Sequence, residues 1–351
     1  MKITLPILLS VIVFSACGTR SQSQNVSADS TTVWVCGHVA DSNSSYASYW
    51  INGQFHLLPP PVNQIETSFA EGIWVDKDDV YIAGFSPLGA TLWKNGKPES
   101  IHLPLLSLTA VAAGNGNVYM TGNELDPTDG SREDGYLWIN GQLMALPRPF
   151  GNAVASRLAV EGDDVYITGS IIRDTARQGT YAAYWKNGVA TLLSQDTSTT
   201  QGIAIQHGDV YIAGALTGTQ RTSALYWKNG VPVNLPSDSI NSSATVIGVK
   251  DNNVFVAGIA FNRRLQIYNA VYWYKGVQHY LTAPDIESSA HCLVIHNGDV
   301  YIGGVIARPN ATEGNKWQAC YWKNGVLTLL PWPGGKGNLY VSGIFVTGPG
   351  R

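Results

Sequence analysis

The sequence predicts an all-β protein made of seven four-stranded antiparallel sheets that close into a ring. Two observations predict this fold, because a Trp-x-Asn-Gly tetrad and a Val-Tyr-Ile-like motif ending in glycine each recur seven times. The composition agrees with it. Charged residues make up 13% of the chain and there are 37 glycines, which suits many short strands joined by tight turns better than a helical or disordered chain.

The tetrad marks a hairpin in every repeat. Its tryptophans are Trp50, Trp93, Trp138, Trp185, Trp227, Trp273 and Trp322. Six copies carry Asn-Gly, and the remaining copy has Lys275-Gly276 in its place. An Asn-Gly pair between two strands predicts a type I′ turn, because both central residues of that turn adopt positive φ. Each tetrad therefore ends one strand and begins the next.

The second motif marks another strand of the same repeat. Its seven copies occupy residues 33–37, 80–84, 118–122, 165–169, 210–214, 254–258 and 300–304. In the third complete repeat we predict strands at 155–160, 165–169, 182–185 and 189–193. Four antiparallel strands in a period of about 40–50 residues are typical of a β-propeller blade.

The two ends of the chain predict how the ring closes. The first copy starts at its second strand, residues 33–37, whereas residues 341–346 align with the first strands of the other repeats. We therefore predict a seven-bladed β-propeller of four-stranded antiparallel blades, closed by the C-terminal strand completing the N-terminal blade. This closure joins both termini in one sheet and leaves no open seam in the ring. The repeat resembles WD40 repeats in length and the kelch second strand at 300–304, and it implies no particular activity.

The first residues predict export and lipidation. Residues 1–16 form a signal peptide, with Lys2 followed by an apolar run too short to span a bilayer. Residues 14–17, Phe-Ser-Ala-Cys, resemble a bacterial lipobox, which implies acylation of Cys17, for example with palmitate. An ordinary cleaved signal is the alternative. Residues 17–31 then form a flexible tether and residues 32–351 the propeller, at the cell envelope and on the outer membrane.

The loops predict where a ligand binds. The turns between first and second strands and between third and fourth strands are short, and we call the edge that carries them the tight-turn rim. The opposite edge, the variable rim, carries long loops such as 170–181 and 260–269. Binding residues concentrate on variable loops over a rigid scaffold. Candidates there are Arg173, Arg264, Trp317 and Trp332. A simply solvated rim is the alternative for the arginines, and local loop packing is the alternative for the two tryptophans.

A second candidate region is the mouth of the central channel. One position near the start of each innermost strand is polar in all seven repeats: Glu71, Thr109, Ser156, Gln201, Thr245, His291 and Ser342. Arg157 follows one of them, where most repeats have a small residue. We take Glu71, Arg157, Gln201 and His291 as ligand-binding candidates. The alternative is a ring of side chains that bonds only to water and neighbouring backbone.

Several functional classes find no support in the sequence. Zinc-binding, phosphate-binding and serine-hydrolase motifs are absent, so we predict no metal and no cofactor. The net charge of −3 without a basic run argues against nucleic-acid binding. Cys36, Cys292 and Cys320 remain in the propeller, and an odd number excludes a complete disulfide framework. Cys292 and Cys320 belong to the same repeat and could pair, although we expect them on different, non-adjacent strands.

Three functional hypotheses remain. The first is a non-catalytic, membrane-anchored propeller that binds a glycan or a protein partner through its variable rim and channel mouth, with the lipid as its sole membrane contact. The second is a carbohydrate-active hydrolase or lyase in which Glu71 and His291 act as an acid–base pair at the channel mouth. The third is a structural envelope lipoprotein without a small ligand.

Overall fold

The computed structural model describes residues 31–42, 44–60, 67–101, 106–125, 133–149, 151–172 and 179–348. The signal peptide, Cys17 and Arg173 lie outside this part of the chain. The described residues form strands and one 3₁₀ turn, η1 at Glu313–Asn315. Within these residues, no helix has the length and apolar character needed to cross a membrane.

The first four blades follow one another along the chain. Blade 1 contains β1 (Thr32–Ala40), β2 (Ser45–Ile51) and β3 (Gln54–Leu57). Blade 2 contains β4 (Phe69–Asp76), β5 (Asp79–Ser86), β6 (Gly89–Lys94) and β7 (Lys97–Ser100). Blade 3 contains β8 (Leu106–Gly114), β9 (Asn117–Leu125), β10 (Glu133–Ile139) and β11 (Gln142–Ala145). Blade 4 contains β12 (Asn152–Glu161), β13 (Asp164–Ile172), β14 (Thr180–Lys186) and β15 (Val189–Leu192).

Three more blades and the closing strand complete the ring. Blade 5 contains β16 (Ser198–Gln206), β17 (Asp209–Thr217), β18 (Thr222–Lys228) and β19 (Val231–Asn234). Blade 6 contains β20 (Ser242–Lys250), β21 (Asn253–Asn262), β22 (Ile267–Tyr274) and β23 (Val277–Tyr280). Blade 7 contains β24 (Ser288–His296), β25 (Asp299–Ala307), β26 (Trp317–Lys323) and β27 (Val326–Leu329), and the closing strand is β28 (Asn338–Thr347).

The predicted closure is confirmed. β28 lies beside β1 as the innermost strand of blade 1, with Val35 opposite Ile344 and Val33 opposite Val346. It also packs against β24 of blade 7 and β4 of blade 2, so the ring of innermost strands has no gap. All seven sheets contain four antiparallel strands, as the repeat predicts.

The strands extend further than the apolar pattern indicates. β12 runs from Asn152 to Glu161, whereas the sequence predicts residues 155–160. The added residues pair through their backbones, with Asn152 opposite Ile172 and Glu161 opposite Asp164. Backbone pairing does not require an apolar side chain, and a hydrophobicity pattern therefore misses these strand ends.

The tetrad tryptophans are packing residues, in agreement with their recurrence. Six are fully buried: Trp50, Trp93, Trp185, Trp227, Trp273 and Trp322. In blade 4, Trp185 is 1% exposed, and its indole nitrogen donates to the carbonyl of Pro147, at 2.9 Å, in the connection from blade 3. In blade 1, Trp50 donates in the same way to Pro331, at 2.7 Å, in the connection from blade 7. These hydrogen bonds connect neighbouring blades, both between blades 3 and 4 and at the ring closure between blades 7 and 1.

The tight-turn rim carries a repeated set of contacts that we call the rim clasp, defined in blade 4 by Asp164, Tyr166, Lys186 and Asn187. Asn187 accepts from the Val165 amide at 2.8 Å and donates to Asp164 at 2.6 Å. Lys186 lies 2.8 Å from Asp164 and over the ring of Tyr166. Blades 2, 5 and 7 repeat the lysine–aspartate pair. The clasp bonds the two hairpins of one blade to each other.

The Asn-Gly turns have the predicted geometry. Asn187 and Gly188 have φ values of 50° and 79°, and each of the other tetrads also has positive φ at both positions. The asparagine therefore has two functions, since its backbone makes the turn and its side chain bonds to the second strand. The sequence pattern predicts only the first of these.

Candidate functional site

A β-bulge interrupts the innermost strand of every blade. The pairing with the second strand skips one residue in each blade, and the seven skipped residues are Glu71, Thr109, Ser156, Gln201, Thr245, His291 and Ser342. These are the seven polar positions identified in the sequence. A bulge changes the direction of a side chain and is common beside active sites. The backbone therefore presents one polar side chain per blade at the same level of the ring.

The glycine that ends the second motif makes room for this bulge. In blade 4, a Cβ added to Gly169 would overlap with the carbonyl oxygen of Val154 in β12. The same overlap occurs at the equivalent glycines, which are Gly37, Gly84, Gly122, Gly214, Gly258 and Gly304. The recurring glycine was thus the sequence signal of the bulge, although the sequence alone does not say what it approaches.

Residues at and after the bulges line a central cavity of about 280 Å³. Its polar groups include Glu71 from β4, Arg157 from β12 and His291 from β24, which belong to blades 2, 4 and 7. Its apolar wall comes from the residues two positions after the bulges, which are Ile73, Val111, Leu158, Ile203, Ile247, Leu293 and Ile344. Three of the predicted candidates are therefore brought together from distant parts of the chain.

Arg157 is the one cation among the described residues that line this cavity. Its equivalents in the other blades are Gly72, Ala110, Gly202, Val246, Cys292 and Gly343. One terminal nitrogen donates to the Ser156 carbonyl at 3.1 Å and more distantly to the Thr109 carbonyl at 3.4 Å. Within the described part of the chain, Arg157 forms no ion pair with a carboxylate. The guanidinium therefore keeps donor groups for a ligand.

Glu71 lies half-buried on the bulge of β4. Burial raises the pKa of its carboxyl, while the charge of Arg157 and a hydrogen bond from the Ser342 hydroxyl act in the opposite direction. Glu71 and Arg157 thus influence each other through space without direct pairing. Blade 3 lies between the strands that carry them, and Arg157 reaches only as far as the Thr109 carbonyl of that blade.

His291 is held in its neutral form at neutral pH. Burial, followed by the nearby charge of Arg157, lowers its pKa from 6.5 to about 4. Its Nε2 lies 2.7 Å from the Ser289 hydroxyl. Glu71 bonds instead to Ser342, so the hypothetical acid–base pair shares one cavity but its members have separate hydrogen-bond partners.

The three cysteines of the propeller are free and buried. Cys292 lies directly after the bulge of β24 and contributes to the cavity wall. Burial raises its pKa to about 12. The thiol is therefore protonated at neutral pH and is a poor nucleophile, which is consistent with a packing role.

The remaining predicted candidates are distributed over the variable rim. Gln201 is exposed at its bulge and is not part of the cavity wall. Arg264 is exposed in the turn between β21 and β22, where its backbone amide donates to Asn262. The structure therefore brings neither of them into contact with Arg157, and both remain predictions.

The two candidate tryptophans are half-buried between blades 7 and 1. Trp332 packs edge-on against Phe55, with 5.1 Å between ring centroids, and its indole nitrogen is buried without a hydrogen-bond partner. Trp317 begins β26, and the Lys316 amine lies over its ring. Both rings thus make contacts within the protein, which is the local packing that the sequence left open as an alternative.

A polar recess near these tryptophans was missed by sequence reasoning. It has a volume of about 290 Å³ and lies on the variable rim between the loops of blades 1 and 7. Asp41, Asn315 and Lys336 contribute to its wall. The long loop that precedes β26 was the available signal, but the pairing of its residues with those of the β27–β28 connection requires the closed ring.

Comparison with known proteins supports the fold. No protein-family model and no curated protein matches the chain. An acylaminoacyl peptidase from Pyrococcus horikoshii is similar in structure, with a TM-score of 0.52, 12% identity and coverage of 87% of this chain and 51% of that chain. This chain thus spans about half the length of that peptidase. Similarity at this level of identity shows the fold alone.

A second similar structure differs from this chain at the closure of the ring. The propeller domain of the trilobed protease from Pyrococcus furiosus has a TM-score of 0.51 and 9% identity, over 87% of this chain and 93% of that one. It is described as having an open velcro topology. In the present chain, β28 and β1 join the two ends of the propeller in one sheet. The two proteins share blade architecture and differ at the closure.

Proposed function

We propose that this propeller is a non-catalytic binding module that holds a carboxylate-bearing peptide or protein segment at the mouth of its central channel. One observation carries the proposal, namely an arginine inside a partly enclosed cavity that has no carboxylate partner among the described residues. Six of the seven blades have a smaller side chain at this position. A residue that departs from a structural repeat and faces a cavity is a good candidate for recognition.

The chemistry of arginine favours a carboxylate as its ligand. A guanidinium offers five N–H donors in a planar fork that matches two carboxylate oxygens. Arg157 uses one terminal nitrogen for backbone carbonyls. A bound carboxylate would bring a compensating charge to a cation that has lost part of its hydration, and a charge-assisted hydrogen bond is stronger than a neutral one.

The surroundings favour a peptide over a glycan. Sugars are commonly bound against a flat, exposed aromatic face, whereas Trp332 packs against Phe55 and the Trp74 ring packs at a tilt against Phe345 with 5.0 Å between ring centroids. The cavity itself is walled by aliphatic side chains such as Leu158 and Ile203, together with Trp74 and Phe345. These walls suit the apolar part of a peptide. Binding rather than turnover is favoured because no hydrogen bond joins Glu71 to His291 among the described residues.

The lipid anchor and the envelope location belong to the same proposal and rest on residues 1–17. Metabolic labelling with an alkyne analogue of palmitate tests this part separately. Labelled wild-type protein and unlabelled Cys17→Ala are expected. Equal labelling of both would overturn the anchor without affecting the binding site.

Arrays of peptides and of acidic glycans test the binding proposal. Wild-type protein should retain peptides that carry a free carboxylate, and Arg157→Gln should lose most of that signal. Arg148→Gln is the matched control, because Arg148 is exposed in the β11–β12 connection on the variable rim and already pairs with Asp134. Peptide binding that is equal in wild type and Arg157→Gln would refute the proposal. Retention of glycans alone would replace the peptide with a sugar ligand.

A further inference from the structure

We infer that the ligand of the central cavity is a small zwitterion, an apolar amino acid or a short peptide with free ends, whose carboxylate meets Arg157 and whose protonated amine meets Glu71. This inference rests on the proposed function and names its ligand class. It follows from two charges of opposite sign that share a cavity and do not pair with each other.

The two charged groups come from different blades and have different hydrogen-bond partners. Glu71 is fixed at the bulge of β4 and bonds to Ser342 of blade 1, whereas Arg157 directly follows the bulge of β12 and bonds to Thr109 and Ser156. The two side chains therefore contact different neighbouring residues. A ligand with complementary charges at its two ends can satisfy both at once, which neither an acid nor an amine alone can do.

Among the described residues that line the cavity, Arg157 and Glu71 are the two that carry a charge at neutral pH. His291 is neutral at neutral pH, and the bulge residues of the other blades are uncharged: Thr109, Ser156, Gln201, Thr245 and Ser342. The polar end of the cavity therefore carries one cation and one carboxylate. A ligand with no net charge but two charged ends matches this distribution.

The size and walls of the cavity limit the rest of the ligand. A volume of about 280 Å³ lies just below the range typical of pockets for drug-sized molecules. The aliphatic ring that includes Ile73, Val111 and Ile247 lies next to the charged groups. These features fit an aliphatic side chain attached close to the charged ends, as in leucine or dileucine.

Calorimetry with ligands that share one carbon skeleton tests the inference. The probes are leucine, dileucine, 4-methylpentanoate as the acid alone and 3-methylbutylamine as the amine alone. One of the two zwitterions should bind at least about tenfold more tightly than either single-charge analogue, which corresponds to about 1.4 kcal/mol. Glu71→Gln should remove this advantage and leave binding of the acid, and Arg157→Gln should abolish both.

A matched control and the contrary results separate the two proposals. Glu161→Gln should bind as wild type does, because Glu161 lies at the tight-turn rim, where it accepts from the His207 and Gly208 amides. Absence of zwitterion binding, or an acid that binds as tightly as leucine and dileucine, overturns the zwitterion while Arg157-dependent peptide binding stands. Peptide binding that does not depend on Arg157 overturns the proposed function itself.

Discussion

The tight-turn rim and the channel mouth use the same seven-fold repeat in opposite ways. At the tight-turn rim, the same aspartate–lysine pair recurs in four blades, and the side chains themselves are repeated. At the channel mouth, the backbone bulge recurs in all seven blades while the side chain on it changes. Repetition of a side chain thus accompanies a structural role, and repetition of a backbone device leaves the side chain free for recognition.

The largest effect is expected at the glycine that ends the second motif, because its lack of a Cβ makes room for the bulge at the channel mouth. In Gly169→Ala the added methyl overlaps with the Val154 carbonyl. This backbone atom cannot move aside as the end of a flexible side chain can. The variant should therefore lose about 3 kcal/mol of unfolding free energy. Urea unfolding followed by circular dichroism measures this. Gly114→Ala is the control, since its Cβ would meet no atom within 4 Å, and it should unfold as wild type does.

Equal stability of the two alanine variants would contradict the assignment of the bulge as a rigid feature. If Gly169→Ala loses stability and its remaining folded protein also loses ligand binding, the bulge is needed for recognition as well as for stability. The reason is that the same bulge positions Ser156 and directs Arg157.

Acid should weaken the mouth before it weakens the tight-turn rim. Burial lowers the pKa of His291 at the mouth from 6.5 to about 4, and it does the same to His38, which lies on β1 of blade 1 and stacks on Tyr340. Each histidine is therefore neutral when folded and protonates more readily when unfolded. Each should therefore reduce the unfolding free energy as pH falls from 6.5 to about 4, by up to about 3 kcal/mol. The hydrogen bonds from Lys186 and Asn187 hold the pKa of Asp164 below 3.8, so the rim clasp should persist through this range.

Unfolding midpoints measured between pH 7 and pH 4 distinguish the two regions. His291→Gln should flatten the decline relative to wild type, and His38→Gln should flatten it independently. His207→Gln, at an exposed hairpin tip, serves as the control. A decline of the same steepness in His291→Gln and wild type would mean that the mouth does not determine acid stability.

A smaller effect is expected from the side chain of a rim asparagine. Asn187→Gly keeps a residue that tolerates positive φ but loses the bonds to the Val165 amide and to Asp164, so it should cost about 1 kcal/mol. Urea unfolding again provides the value. Lys275→Asn, which introduces the missing asparagine into blade 6, should leave stability unchanged or raise it. A destabilised Lys275→Asn would show that the clasp depends on its aspartate partner, because blade 6 has Asn253 at that position.

The fold was predictable because it is repeated. Seven copies of Trp-x-Asn-Gly and of the glycine-ended second motif determine strand number, hairpin type and closure, and the structure confirms each of them. The polar level of the mouth was also found from the alignment of repeats. These features depend on local residue patterns, which are directly visible in a sequence.

The arrangement within the mouth was not predictable in the same way. The bulge requires knowledge of which residue is skipped in the pairing, and the separate serine partners of Glu71 and His291 lie two or more residues away or in another blade. The position of Gln201 outside the cavity wall and the packing of Trp332 against Phe55 likewise depend on contacts between blades. Such contacts join residues that are distant in the chain and vary from one repeat to the next.

Arg157→Gln provides the most direct test of the division between a structural rim and a recognition site at the mouth. Its unfolding midpoint and its affinity for the best-binding peptide should be measured on one preparation beside wild type and Asn187→Gly. The account predicts that Arg157→Gln unfolds as wild type does and loses at least about tenfold in affinity, whereas Asn187→Gly unfolds earlier and binds normally. An Arg157→Gln protein that is destabilised but binds as wild type does would contradict it.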